Sequence, residues 1–338
     1  LQLHVTVELL TGSTNTTRRR DIINNLSNGS LKILVGTHAL IEDPVSFLNL
    51  GLVVVDEQHR FGVRQRNLLL DKGLQPNLLT MTATPIPRTL ALSLHGDLDV
   101  SQLDELPPGR TPVITRLFSR SQVNKVYQLI RDEISKGQQA YIVLPLIDDS
   151  EKLELRSAIQ AHKELSSAVF PDLQLGLLHG KMSSKEKQNV IRNFVDNHFN
   201  ILVSTTVVEV GVDIPNATVM VIENADRFGL SQLHQLRGRV GRGSLKSHCI
   251  LLYDGNQQSS KQRLEFLVAT NDGFEISEID LKLRGPGQVL GTRQSGLPDF
   301  ALASLIDDAE VLELAREQAI DILKMDPELK NHVELKLW

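Results

Sequence analysis

Short apolar runs alternate with amphipathic stretches along most of this chain, and that alternation restricts its fold more than any other feature. The runs KILV (32–35), LVVV (52–55) and LLTM (78–81) form one series. YIVL (141–144), LQLGLL (173–178), ILVS (201–204), VMVI (219–222) and CILLY (249–253) form a second. Near-continuous apolar strands are the mark of a parallel sheet buried on both faces, with helices as crossovers. The expected class is therefore α/β, with two parallel-sheet domains. The opening residues LQLHVTVELLTGS already alternate like a strand inside a sheet, so the reading begins mid-domain.

Punctuation divides the series. DELPPGRTP (104–112) stops regular structure and reads as a linker between domains 1–107 and 108–255. In the first domain, TTRRRDIINNLSNG is a polar helix with Gly29 as a left-handed cap. The second opens with a helix whose Val123, Val126, Ile130 and Ile134 share a face and which ends at Gly137. Ser183 and Glu186 predict a capping box at the start of SSKEKQNVIRNF. Residues 256–338 leave the strand series for helices interrupted by LRGPGQVLGTRQSGLPD (283–299), an appended element.

Composition then narrows the function. A net charge of -5 excludes a globally basic coat, so any phosphate contact must come from local Arg and Lys clusters. Aromatic residues make up 4% of the chain, which disfavours serial base stacking and leaves backbone tracking as the mode for a nucleic acid. No apolar run approaches the roughly 20 residues of a membrane-spanning helix. The single cysteine, Cys249, fits a reducing, cytoplasmic compartment and excludes a cysteine-based zinc site.

The chemistry is concentrated at strand ends. LVVV runs into DEQH (56–59), which puts two carboxylates at the edge where α/β folds bind ligands. Asp56 suits Mg²⁺, directly or through water, and Glu57 suits polarisation of a water attacking a γ-phosphate, with Gln58 and His59 sensing nucleotide state. An acidic pair that only caps the next helix is the plainer reading. MTATPIPRTLAL (81–92) leaves Thr82 and Thr84 at the same edge, able to hydrogen-bond the acidic pair or to form a simple turn. STTVVEVGVDIPNA (204–217) offers Thr205 and Thr206 for a DNA phosphate, with Gly211 in the loop and Asp213 for a ribose. In QLRGRVGRG, Gln235, Arg239 and Arg242 are spaced to share a helix face, where guanidinium forks suit phosphate oxygens. Gly238, Gly241 and Gly243 weaken such a helix and imply a close approach to the backbone, for which a nucleotide is the candidate.

Together GTHALI, DEQHRFG, TATPIPRTLAL, TTVVEVGVDIPNA and QLHQLRGRVGRG resemble the ordered motifs of superfamily 2 helicases. The tail DLKLRGPGQVLGTRQSG (280–296) resembles the translocation motif of the RecG family, and the LRGPG and GTRQ spelling separates it from the related transcription-repair coupling factor. The resemblance implies two RecA-like domains, the first truncated at its N-terminus, and a C-terminal helical hairpin and loop. It implies ATP and Mg²⁺ as cofactors, Arg239 and Arg242 as fingers, and Gln235, Gly238, Gly211 and Asp213 as nucleotide contacts. Arg284, Gln288, Arg293 and Gln294 are then the coupling residues of the tail, beside Thr82, Thr84, Thr205 and Thr206 on the DNA side. The implied substrate is branched double-stranded DNA, such as forks and Holliday junctions, handled by a monomer in the bacterial cytoplasm, at the nucleoid, or in a plastid.

One departure bears on activity. The phosphate loop G-x-x-x-x-G-K-S/T is not in the sequence, and GLLHGKM (176–182) is one residue short and ends in Met. The expectation is a C-terminal piece of a motor, without phosphate loop or wedge domain, that hydrolyses ATP poorly by itself. A non-catalytic DNA-binding module and a small-molecule hydrolase using the DEQH carboxylates are the competing readings.

Overall fold

The computed structural model describes residues 5–58, 61–83, 99–105, 107, 109–145, 151–205, 214–254, 258–284, 309–332 and 334–335. His59, Thr84, Thr206, Gly211, Asp213, Gln288, Arg293 and Gln294 lie outside them. The chain divides into two compact units, Leu1–Ala83 and Thr84–Trp338.

In the first unit β1 (Val7–Leu10) pairs in parallel with β2 (Ile33–Gly36), and β3 (Leu52–Val55) with β4 (Asn77–Thr80). Helix α1 (Thr16–Ser27) starts where the Asn15 side chain accepts the Arg18 amide at 2.9 Å, which satisfies a donor that the first turn leaves open. After the helix Gly29 takes φ +76°, the left-handed cap the sequence predicts. Helix α2 (Val63–Leu70) connects β3 to β4. Leu10, Ile22, Leu26, Leu31, Ala39 and Val45 form the core. The expectation of burial on both faces fails here. Alternate strand residues point to opposite faces: Ile22 and Leu26 of α1 cover Leu10 on one face of the first pair, and Val7, Leu9, Ile33, Val35, Leu52, Val54 and Leu79 remain exposed.

The second unit meets the expectation. Its six parallel strands run in the order β5-β10-β9-β6-β8-β7: β5 (Ile114–Ser119), β6 (Gln139–Val143), β7 (Leu175–Leu178), β8 (Ile201–Ser204), β9 (Ala217–Ile222) and β10 (His248–Tyr253). The strands β6, β8 and β9 are buried throughout. One face packs on α3 (Val123–Ser135) through Val126 and Ile130, and on the turn after α4 (Glu151–Glu164) through Leu165 and Phe170. The other face packs on α5 (Ser184–Val195), α6 (Leu230–Arg237), α7 (Gln258–Ala269) and α8 (Gly273–Arg284). Leu264, Leu267 and Ile276 of α7 and α8 are fully buried in that core. Helix α9 (Ala309–Met325) follows. The predicted capping box at α5 is present, with the Ser183 amide donating to Glu186 at 2.7 Å and the Glu186 amide to Ser183 Oγ at 3.3 Å. Strand β5 carries no apolar run of its own, because an edge strand tolerates its polar Thr115, Arg116 and Ser119.

Candidate nucleotide and DNA site

Each unit carries its motifs at the C-terminal ends of parallel strands. In the first, β3 stops at Val55 and the chain turns sharply. Asp56 is exposed and accepts the Glu57 amide at 2.9 Å. Glu57 stands at φ +52°, a left-handed conformation that costs a non-glycine residue about 1–2 kcal/mol. The turn is clasped to the neighbouring strand end. Met81 donates to the Val55 carbonyl at 2.8 Å, and Gln58 donates to the Met81 carbonyl at 3.0 Å. DEQ and the start of TAT therefore share one edge, as their positions after adjacent strands require. The clasp is made by backbone groups. Behind it the Phe61 ring stacks on His38 of the GTHALI segment, with centroids 4.8 Å apart and planes within 13°.

Mg²⁺ is commonly held by one or two carboxylates, with phosphates and water completing six oxygens. An exposed Asp56 carboxylate at a strand end fits that role. Glu57, next on the same left-handed turn, fits a base that positions water.

In the second unit Thr205 directly follows β8, where it is buried and its amide donates to the Leu178 carbonyl at 3.3 Å. Gln235 lies on α6, half-buried. Arg239 and Arg242 do not continue its face: the helix ends at Arg237, Gly238 is its cap, and both arginines lie in the turn beyond. The expected helical face is corrected here, and the glycines are the reason. Gly241 is buried at φ +72° and closes the turn. Arg242 Nε bends back to the Gly238 carbonyl at 3.3 Å. Arg284 is the last residue of α8.

What comes close to the glycine backbone is another part of the chain. A Cβ on Gly241 would lie 2.6 Å from Val113 Cγ2. Gly241→Ala is expected to cost about 2 kcal/mol, combining the left-handed penalty with overpacking. Thermal melting checks this, and Val113→Ala in the same chain should recover only the packing part. An unchanged melting temperature in Gly241→Ala would contradict the assigned backbone.

Two arginines that no motif singles out hold the surroundings of this turn, Arg237 before it and Arg110 on it. Arg237 is 3% exposed. Its Nη1 donates to the Leu267 and Thr270 carbonyls at 2.9 and 2.8 Å, and its Nη2 meets His234 Nδ1 at 2.8 Å. Burial, then the adjacent Arg237 cation, push His234 down to about 4, so the ring is neutral and can accept. Arg237 lies four residues after Leu233 and seven after Leu230, so the helical period alone places it on the buried face. The second arginine, Arg110, reaches the Gly241 and Gly238 carbonyls.

Three family profiles match the chain: DEAD/DEAH box helicase over residues 1–92, helicase conserved C-terminal domain over 121–244, and the C-terminal part of domain 3 of ATP-dependent DNA helicase RecG over 270–338. A DNA-bound DUF1998 helicase, MrfA, shares the fold at 17% identity, with a TM-score of 0.58 over 94% of this chain and 46% of its own. Parallel sheets with these motifs at their strand ends define a chain of the superfamily 2 helicase class.

The similarity then sharpens. ATP-dependent DNA helicase RecG of Synechocystis sp. is 58% identical over 99% of this chain and 40% of its own length, and that of Thermotoga maritima 48% identical over 99% and 43%. A structure of RecG bound to a three-way DNA junction superposes with a TM-score of 0.72 at 47% identity, over 92% of this chain and 40% of that one. This chain belongs to the RecG family. It spans about 40% of the length of the curated relatives it matches.

Proposed function

We propose that this chain serves an ATP-dependent double-stranded DNA translocase that remodels forks and Holliday junctions. The observation that carries the reading is the clasp of Gln58 on Met81, which brings the acidic turn and the threonine-bearing strand end to one edge. In this reading Asp56 holds Mg²⁺, which neutralises phosphate charge when bound, and Glu57 orients the attacking water. Gln58 and His59 sense nucleotide state. Arg239 and Arg242 stabilise transferring phosphoryl oxygens, with Gln235, Gly238, Gly211 and Asp213 contacting the nucleotide. Thr82, Thr84, Thr205 and Thr206 serve the DNA contact, and Arg284, Gln288, Arg293 and Gln294 couple closure to movement.

The functional divisions proposed are 1–107, 108–255 and 256–338, acting as a monomer in the bacterial cytoplasm at the nucleoid. The match of the tail to RecG domain 3 favours this reading over a transcription-coupling relative. No helix among the described residues is long and apolar enough to cross a membrane. Junction affinity should fall with salt at a log-log slope of about -0.9 per phosphate neutralised, roughly a thousandfold between 50 and 200 mM for six or more contacts. Fluorescence anisotropy on a forked duplex measures this. A flat titration, or no DNA-stimulated ATP hydrolysis by the natural full-length protein, would refute the proposal.

A further inference from the structure

The linker-derived segment 110–114 is laid along the turn that holds Arg239 and Arg242. Arg110 Nε donates to the Gly241 carbonyl at 2.9 Å, and its Nη2 to the Gly238 carbonyl at 3.3 Å. Thr111 Oγ1 donates to the Leu245 carbonyl at 3.3 Å, and the Ile114 amide to the Ser247 carbonyl at 2.9 Å. Val113 fills the space that the missing Cβ of Gly241 leaves. Gly238 caps α6, and the carbonyls at a helix end have no partner within the helix. The half-buried Arg110 cation at that end satisfies the Gly238 carbonyl and complements the negative end of the helix dipole.

The Gly238 carbonyl is shared. It accepts from both Arg110 and Arg242, so one oxygen sets the position of both guanidinium groups. We propose that Arg110 is a positioning residue for the phosphate-directed arginines: its bidentate grip fixes the 238–241 backbone from which Arg239 and Arg242 project, and ties that backbone to the segment leading into this unit. The inference rests on the assignment of Arg239 and Arg242 made above. Because a guanidinium fork spans two carbonyls and an ammonium does not do so in the same plane, Lys is a partial substitute.

The test uses the natural full-length protein on forked DNA, with Arg110→Ala, Arg110→Lys and Arg239→Ala in parallel. Arg110→Ala is expected to lower the kcat of DNA-stimulated ATP hydrolysis by about ten- to a hundredfold, the scale of a small misplacement of a catalytic group. Its KM for ATP and its DNA affinity should stay near wild type. Millimolar guanidinium should restore part of the rate, and Arg110→Lys should retain an intermediate one. Wild-type kcat in Arg110→Ala beside an inactive Arg239→Ala would overturn the positioning role and leave the proposed function standing. Loss of rate with a depressed melting temperature, insensitive to both guanidinium and Lys, would also overturn it, since that is the outcome of a structural strut. Wild-type turnover in Arg239→Ala would instead remove the underlying assignment.

Discussion

Replacing Glu57 with Gln is expected to slow DNA-stimulated ATP hydrolysis by about a thousandfold while leaving ATP and DNA binding within about threefold of wild type. Gln has the same length and shape, so the left-handed turn at φ +52° and the clasp of Gln58 on Met81 are retained. What is lost is the anionic oxygen that orients the attacking water. That interaction matters more in the transition state than in the ground state, so the loss falls on turnover and not on binding. Asp56→Asn should behave differently. Its carboxylate is exposed and placed for Mg²⁺, so its removal should weaken binding of the Mg²⁺-nucleotide as well as turnover. Single-turnover hydrolysis with forked DNA, beside equilibrium binding of a nucleotide analogue, separates the two. Glu57→Gln turning over within tenfold of wild type would remove Glu57 from the chemistry.

The legible part of the fold was the part governed by local pattern. LVVV at 52–55 and ILVS at 201–204 were placed to the residue, since unbroken apolar runs ending in polar groups have sharp edges. The capping box at Ser183 and the left-handed Gly29 followed from residue type alone. Apolarity could not say whether one face or two would be covered, and the first unit leaves Val54 and Leu79 exposed. ITRLFS escaped because an edge strand tolerates polar residues.

In the site, DEQ and TAT are legible because each follows an apolar strand run, LVVV and LLTM. The geometry of the arginine turn was not. Three- and four-residue spacing suggested a helix through Arg242, and the cost of two interior glycines ended it at Arg237. Arg110 meets Gly241 across 131 residues of sequence, a pairing that no local pattern encodes. Charge runs also conceal differences among their members: Arg237 is buried as a structural anchor while Arg239 and Arg242 are half-buried in the turn.

Arg237→Met is expected to destabilise the second unit by about 2–4 kcal/mol, because buried acceptors left without donors cost about 1–3 kcal/mol each and the saving from not burying a charge returns only part of that. The guanidinium serves the Leu267 and Thr270 carbonyls at the end of α7, and Thr115 Oγ1 at 3.4 Å, so α6, α7 and β5 lose a common tie. For a unit of this size the melting temperature should fall by about 5–15 °C. Acid gives an independent signature. His234 is held down to about 4 by burial and then by Arg237, so the folded form binds fewer protons than the unfolded chain below the ordinary histidine value of about 6.5. Its contribution is full above that value and is lost as pH falls from about 6.5 towards 4. In Arg237→Met the cation is gone and the burial remains, so the acid-sensitive window should narrow without vanishing. Thermal melts from pH 7.5 to 4.5 read both effects. A melting temperature within about 2 °C of wild type, with the same pH dependence, would show that α6 and α7 are held by their apolar contacts alone.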